Sequence, residues 1–128
     1  MIKHKQLEDV PVFVAGDETL IREVLHPERE EGLDLPYSLA HASIDVGAAS
    51  LSHVLKDSSE VYVVLAGRGT AFVNAKEVPL QVGSVLLVPA GAEQFVRNDG
   101  DIPLRFYCIV SPPWNADQEE VDPEAKGK

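Results

Sequence analysis

The feature that most constrains the fold of this chain is a series of short apolar runs, rich in β-branched residues and bounded by turn residues. Gly, Pro, Asn or Asp stands between successive runs, as is typical of strands joined by tight turns. No long helical period interrupts the series, so βαβ units are not expected. The spacing predicts an all-β domain, either a sandwich or a barrel. The predicted strands are Ser38–Val46, Ser50–Leu55, Glu60–Ala66, Gly69–Asn74, Val78–Val82, Ser84–Val88, Glu93–Asn98 and Leu104–Val110.

The chain divides into three zones by composition. Residues 1–36 form a mixed, charged lead-in, residues 37–111 are dense in Val, Leu, Ile and Gly and form the predicted β-domain, and residues 112–128 form an exit segment with an acidic tail. The tail has no periodicity, and we expect it to be disordered after about Asp122. In the lead-in, Asp17–Leu25 fits a helical stripe with Asp17 as cap, but it also fits a strand. Periodicity leaves both alternatives open.

Charge and composition exclude several classes of partner. The chain has 128 residues, about one domain, and its formal net charge of −10 makes nucleic acid and anionic membranes poor partners. No run is long enough for a transmembrane helix, and no signal peptide is visible. The single Cys108 excludes an internal disulfide. These features together predict a cytoplasmic protein.

Strand alternation assigns side chains to the two faces of each strand. His53 shares a face with Leu51 and Leu55, and Glu60 shares one with Tyr62 and Val64. In the last strand Arg105 should face water. The residues that alternate with it should point inward, and these are Leu104, Phe106, Cys108 and Val110.

Two spaced motifs, GAASLSHVLKDSSEVYVVLAG from Gly47 and GSVLLVPAGAEQFVRN from Gly83, resemble the two motifs of the cupin family. The spacing matches at eight of the ten pattern positions, while Leu55 and Gln94 stand where the family has histidines. The matching positions are Gly47, His53, Glu60, Gly67, Gly83, Pro89, Gly91 and Asn98, with the glycines at expected reversals. The chain looks like a small single-domain cupin, similar to the mannose-6-phosphate-isomerase-like cupins, over roughly residues 20–114. The resemblance implies a double-stranded β-helix, or jelly-roll barrel, and favours a strand over Asp17–Leu25.

In typical cupins three histidines and one glutamate hold a divalent metal, and the resemblance leaves two of these ligands here. His53 and Glu60 are retained, Gln94 can offer an amide oxygen, and Leu55 offers nothing. A Mn, Fe, Ni or Zn ion on His53, Glu60 and Gln94 is one hypothesis. The other is a metal-free polar pocket in which His53 pairs with the Glu60 carboxylate. In either case the predicted ligand pocket consists of His53, Glu60, Tyr62 and Gln94.

The position of His41 stays open, because it shares its face with Ser43 and Asp45, and a polar face is the simpler interpretation. We expect a protein that binds a small molecule in the barrel, with or without a divalent metal. The alternative is a metal-dependent isomerase, dioxygenase or decarboxylase acting on a small sugar-like or carboxylate substrate. We also expect a homodimer that covers edge strands, with residues 10–25 contributing to the contact.

Overall fold

Eleven β-strands account for nearly all regular structure in residues 2–126, the part of the chain that this computed structural model describes, with side chains described up to Pro123. Two single turns of 3₁₀-helix, Leu7–Asp9 and Ala116–Gln118, accompany the strands. The strands are β1 Phe13–Val14, β2 Leu20–Leu25, β3 Ser38–Ile44, β4 Leu51–Leu55, β5 Ser59–Ala66, β6 Gly69–Val73, β7 Lys76–Leu80, β8 Val85–Val88, β9 Glu93–Asn98, β10 Leu104–Ser111 and β11 Glu119–Lys126. No helix among these residues is long and apolar enough to cross a bilayer.

The strands form two antiparallel sheets that pack face to face. One sheet has the order β1-β2-β3-β10-β5-β8, and the other has the order β11-β4-β9-β6-β7. Most neighbours in a sheet are far apart in sequence, so the chain passes repeatedly from one sheet to the other. This arrangement is the predicted jelly-roll barrel, and each predicted strand is present with bounds that differ by at most two residues.

The core lies between the sheets and follows from period-two alternation. In β10, Leu104, Phe106, Cys108 and Val110 are buried, whereas Arg105 is half-buried on the outer face. In β5, Glu60, Tyr62 and Val64 are buried in the same way. Both rows point inward as the sequence predicts. A carboxyl group therefore lies in the same inward row as the apolar core.

The lead-in segment is a strand. β2 pairs antiparallel with β3, with Arg22 opposite His41. The helical alternative for Asp17–Leu25 is wrong because hydrogen bonding to the edge of β3 outweighs a weak local stripe of four apolar residues. The strand that the family resemblance favours in Asp17–Leu25 is therefore confirmed, as β2.

The acidic tail is more ordered than its composition predicts. The predicted disorder after about Asp122 is wrong as far as Lys126, because β11 pairs with β4 and places Val121 opposite His53 and Lys126 opposite Leu51. The preceding Gln118 is buried, and its side chain accepts a hydrogen bond from Asp57 N at 2.9 Å and donates one to Ser58 Oγ at 2.7 Å. Tertiary contacts therefore order a segment whose composition gives no local signal.

Two motif glycines offer a matched test of backbone geometry. Gly47 and Gly67 have nearly the same positive φ, +78° and +81°. A Cβ at Gly67 would lie 2.8 Å from Pro103 O, whereas one at Gly47 would meet no atom within 4 Å. We expect Gly47→Ala to cost about 1 kcal/mol for the left-handed backbone, and Gly67→Ala to cost about 3 kcal/mol because a clash is added. Urea unfolding measures both, and equal losses would contradict the clash.

Candidate functional site

A cavity of about 250 Å³ lies inside the barrel, where side chains of both sheets meet. Apolar side chains, including Leu55, Val96 and Phe106, form much of its wall. Eight ionisable side chains also line it, and these are Asp17, Glu23, Arg29, His53, Glu60, Tyr62, Cys108 and Glu119. The cavity therefore combines an apolar enclosure with a small set of convergent polar groups, as is typical of ligand sites.

Glu60 is a buried ionisable group on the wall of the cavity. It lies on β5 between outward-facing neighbours, and only 8% of it is exposed. Its Oε1 atom is buried and has no hydrogen-bond partner among the described residues. Buried polar atoms are nearly always satisfied, so an orphaned carboxylate oxygen on a cavity wall indicates a missing partner.

Burial raises the pKa of Glu60 to about 7, although the charge of His53 and a hydrogen bond with the Cys108 thiol oppose the rise. The carboxyl group is then present in both protonation states near neutral pH. It can accept a hydrogen bond or a proton as carboxylate, and it can donate as carboxylic acid. The same burial, followed by the charge of Glu60, raises the pKa of Cys108, so this thiol stays protonated and is not a nucleophile.

His53 is oriented by its own strand, β4, and by the loop that precedes β2. Its Nδ1 lies 3.1 Å from Leu51 O and 3.5 Å from Asp17 Oδ2. Because both are acceptors, Nδ1 carries the proton, and no described residue hydrogen-bonds to Nε2. The backbone holds Asp17 in place, since Leu51 N donates to Asp17 O at 2.8 Å and Thr19 N donates to Asp17 Oδ1 at 3.1 Å.

Tyr62 lies two residues after Glu60 on the same inward row. Burial and then the charge of Glu60 raise the pKa of its phenol well above the ordinary range, so the phenol is neutral. Its hydroxyl donates to Gln94 Oε1. Gln94 is buried and stands opposite His53 in the β4–β9 pair, but it does not line the cavity. Three of the four predicted pocket residues thus lie on the wall, and Gln94 lies behind Tyr62.

The donor set does not fit a divalent metal. Gln94 Oε1 is already occupied by the Tyr62 hydroxyl, and Leu55 has no donor atom. Among residues 2–126, no three His, Cys, Asp or Glu side chains are grouped closely enough to hold an ion. A Mn, Fe, Ni or Zn centre on His53, Glu60 and Gln94 stays a prediction, and this hydrogen-bonding pattern does not favour it.

His41 does not line the barrel cavity. It is buried on the outer face of the six-stranded sheet, where it borders a separate cavity with Arg22 and Arg105. Arg105 Nε donates to His41 Nε2 at 3.2 Å. Burial, then the charges of Arg105 and Arg22, lowers the pKa of His41, so the ring is neutral. The polar-face interpretation of the sequence therefore describes His41 correctly.

Apart from His53 and Glu60, the charged residues of the lining were missed by sequence reasoning. Asp17, Glu23 and Arg29 come from the lead-in, and Glu119, with its neighbour Trp114, comes from the exit segment. Trp114 Nε1 donates to Glu119 at 3.3 Å, and Arg29 lies 6.0 Å from the Trp114 ring. The sequence marks Asp17 only as a possible helix cap and Glu119 only as part of an acidic tail. Only tertiary folding brings them to the cavity.

Comparison with known protein families agrees with the barrel fold described above. The profile of the family described as "Cupin domain" matches residues 40–110, more than half of the chain. The chain is a cupin. Its resemblance at the two motifs is thus confirmed as family membership.

Among sequence relatives, an uncharacterized protein of Methanocaldococcus jannaschii is 28% identical over 116 residues, 91% of each chain. Among solved structures, a predicted oxalate decarboxylase of Thermotoga maritima superposes with a TM-score of 0.73 at 19% identity, covering 84% of this cupin and 96% of that chain. A Streptomyces nucleoside dehydratase, solved as a histidine-to-glutamine variant with uridine, superposes with a TM-score of 0.72 at 18% identity, over 94% and 92%. At these identities the two structures show the fold alone.

The burial of Glu60 predicts a pH dependence of stability. Because the folded state holds this proton more tightly than the unfolded state, its contribution is present at acid pH and is lost as pH rises from about 4.5 to about 7. The loss amounts to about 3 kcal/mol. Glu60→Gln cannot ionise, so its stability relative to wild type should increase by that amount between pH 4.5 and pH 8.

Urea unfolding of both proteins across this range measures the difference. Glu77→Gln, on the exposed strand β7, is the matched control and should follow the wild-type curve. Parallel curves for wild type and Glu60→Gln would show that Glu60 ionises normally.

Proposed function

We propose that this cupin binds a small uncharged or cationic molecule in its barrel cavity, and that the ligand donates a hydrogen bond to Glu60. The observation that carries this proposal is the buried Oε1 of Glu60, which has no partner among the described residues. An N–H or O–H group of a ligand would satisfy it. His53 Nε2 offers a second polar contact beside it, so two neighbouring groups would orient the ligand.

The charge of the lining selects against anions. Four carboxyl groups line the cavity, and these are Asp17, Glu23, Glu60 and Glu119. The only guanidinium of the lining is that of Arg29, which forms an ion pair with Glu23 at 3.1 Å. An anionic ligand would meet net negative charge at short range in a medium that screens poorly. We therefore favour sugar-like or nucleoside-like compounds over carboxylates.

The cavity volume limits the size of the ligand. About 250 Å³ is just below the range of ~300–1,000 Å³ that is usual for drug-sized molecules. Apolar walls and few polar groups suit a compact metabolite with one polar edge and one apolar face. A polymer or a large cofactor does not fit this enclosure.

A proton-transfer enzyme is the second candidate function. It is favoured by one specific observation, the pKa of Glu60 near 7, which is the range in which a general acid–base group works best at neutral pH. His53, oriented through Nδ1, would accept or return a proton at Nε2. Dehydration and isomerisation both need such transfers, and one structural neighbour is a nucleoside dehydratase. Fold likeness does not choose the reaction, since one fold hosts many chemistries.

Ligand charge provides the first test. Uridine is the uncharged probe, and oxalate is the anionic probe. Titration calorimetry should detect binding of uridine and none of oxalate. Glu60→Leu, which removes the acceptor, should weaken uridine binding at least tenfold, whereas Glu77→Gln should leave it unchanged. Preferential binding of oxalate, or full binding by Glu60→Leu, would overturn the proposal.

Metal content provides the second test. Protein purified without chelators should carry far less than one equivalent of Mn, Fe, Ni or Zn, because the Gln94 oxygen is held by Tyr62. Adding these ions should leave the melting temperature unchanged. Leu55→His combined with Gln94→His restores the family ligand set and should gain stoichiometric metal. Tight metal in the wild type would instead support the metal-dependent isomerase, dioxygenase or decarboxylase.

Several expectations about the cellular setting stay predictions. These are the cytoplasmic location, the lack of nucleic-acid and membrane partners, and a homodimer formed through residues 10–25. The free Cys108 supports the cytoplasmic location, and the net charge of −10 supports the lack of nucleic-acid and membrane partners. The expected homodimer contact lies at the edge of the six-stranded sheet that β1 and β2 form.

A further inference from the structure

Three carboxyl groups on the wall of the barrel cavity have no lysine or arginine partner. They are Asp17, Glu60 and Glu119. The fourth carboxyl group of the lining, Glu23, is neutralised by Arg29 at 3.1 Å. No Lys or Arg among the described side chains forms an ion pair with any of the other three. The cavity therefore has more carboxyl groups than the protein's own cations neutralise.

Strand β11 brings Glu119 to the cavity. Glu119 stands opposite Leu55 of β4, and Val121 stands opposite His53. Directly opposed residues of an antiparallel pair point to the same face of the sheet, so the Glu119 side chain lies on the inward face that carries His53. A carboxylate from the tail thus lies beside the position at which the family has its second histidine.

Glu119 also lies beside the loop that carries Asp17. Trp114 Nε1 donates to Glu119 Oε2 at 3.3 Å. The other oxygen, Oε1, lies 3.8 Å from the point that a Cβ on Gly16 would occupy. Gly16 immediately precedes Asp17 in the chain. The two carboxyl groups are therefore brought together by contacts between the lead-in and the tail.

The three carboxyl groups repel one another in the folded protein. Burial raises the pKa of both Glu60 and Glu119, and the charge of Asp17 adds to the rise in each case. The charge of Glu119 also contributes to the raised pKa of Glu60. A cation among these groups would relieve that repulsion in a medium that screens charge poorly.

An ammonium group suits this arrangement better than a metal ion does. Metal–oxygen distances are about 2.0–2.2 Å, whereas a charge-assisted N–H···O bond spans about 2.8 Å. No three His, Cys, Asp or Glu side chains among residues 2–126 are grouped closely enough to hold a metal ion. A protonated primary amine carries three separate N–H donors, so it can bind carboxylates that are spaced more widely.

We propose that the ligand of the barrel cavity is a compact primary amine in its protonated form. Its ammonium group donates to Glu60 Oε1 and lies near the carboxylates of Asp17 and Glu119. Its apolar body packs against the wall that includes Val96 and Phe106. This inference rests on the proposed function, because it assigns the charge of the same ligand.

The acidic groups alone would not identify a ligand, but the state of Glu60 does. Only 8% of Glu60 is exposed, and its buried Oε1 has no hydrogen-bond partner among the described residues. A cationic N–H donor satisfies this atom with a bond roughly twice as strong as a neutral donor would form. The same donor supplies the positive charge that the lining lacks.

Three probes with the same cyclohexyl ring and different charges test the inference, and these are cyclohexylamine, cyclohexanol and cyclohexanecarboxylate. Titration calorimetry is performed at pH 8, where Glu60 is mostly ionised and an alkylamine, like a lysine side chain, is protonated. Cyclohexylamine should bind about tenfold more tightly than cyclohexanol because its hydrogen bond to Glu60 is charge-assisted. Cyclohexanecarboxylate should show no binding. Equal affinities for the amine and the alcohol, or tighter binding of the carboxylate, would overturn the inference.

Two neighbouring residues of β11 provide a matched pair of variants. Glu119→Gln removes the inward charge and keeps an oxygen for Trp114, so it should weaken cyclohexylamine about tenfold and leave cyclohexanol unchanged. Glu120→Gln removes the same charge from the exposed side of the strand, where Glu120 pairs with Lys56 at 2.8 Å. This control should bind both probes as the wild type does. Equal losses in the two variants would assign the preference to net charge and contradict the inference.

The outcomes distinguish the charge of the ligand from the proposed function itself. If uridine binds through Glu60 while cyclohexylamine has no advantage over cyclohexanol, the inference fails and the proposed function stands. If Glu60→Leu binds uridine and cyclohexylamine as tightly as the wild type, both fail. If Glu119→Gln does not fold, the three probes on the wild-type protein decide, because that comparison needs no variant.

Discussion

The rest of the site depends on one constraint, a carboxyl group held inside an apolar barrel. Alternation along β5 sends Glu60 inward together with Tyr62 and Val64. A carboxylate in such a place must be neutralised, paired or hydrogen-bonded. The charge of His53 and a hydrogen bond from the Cys108 thiol stabilise the Glu60 carboxylate only in part. Burial outweighs both effects and raises the pKa of Glu60 to about 7. The barrel interior therefore contains a carboxyl group that is present in both its protonated and its ionised form at neutral pH.

Tyr62 and His53, the polar neighbours of Glu60, form their hydrogen bonds with other groups of the protein. The neutral phenol of Tyr62 is fixed by Gln94, so it does not donate its proton to Glu60. His53 is fixed through Nδ1 by Leu51 O, with Asp17 nearby. Both neighbours are held by protein acceptors on one side, while Glu60 Oε1 remains without a partner in the described residues. The polar groups of the cavity are thus oriented in advance of a ligand, and preorganisation of this kind lowers the cost of binding.

The sequence was sufficient for the barrel and for three of the pocket residues, and the reasons are physical. Strand alternation and motif spacing are local properties, so the shared faces of Glu60, Tyr62 and His53 and the motif resemblance together predict that these side chains point inward. Asp17 and Glu119 reach the cavity from segments far from β5 in sequence, and no periodicity marks them. The role of Gln94 was also beyond the sequence, because it depends on where the Tyr62 hydroxyl points. The order in β11 was missed because its pairing with β4 is a tertiary contact between a polar tail and a distant strand.

The strand that carries Glu60 is also apolar on its outer face. The run VYVVLA after Glu60 is apolar at nearly every position, a pattern that indicates a strand covered on both faces. The barrel interior covers Tyr62 and Val64, but within residues 2–126 no second layer covers Val63 or its neighbours Val85 and Leu87. An antiparallel strand with only one buried face would alternate with polar residues instead. The continuous apolar character of β5 and β8 therefore exceeds what the barrel interior alone demands, and the excess lies on the outer face of the six-stranded sheet.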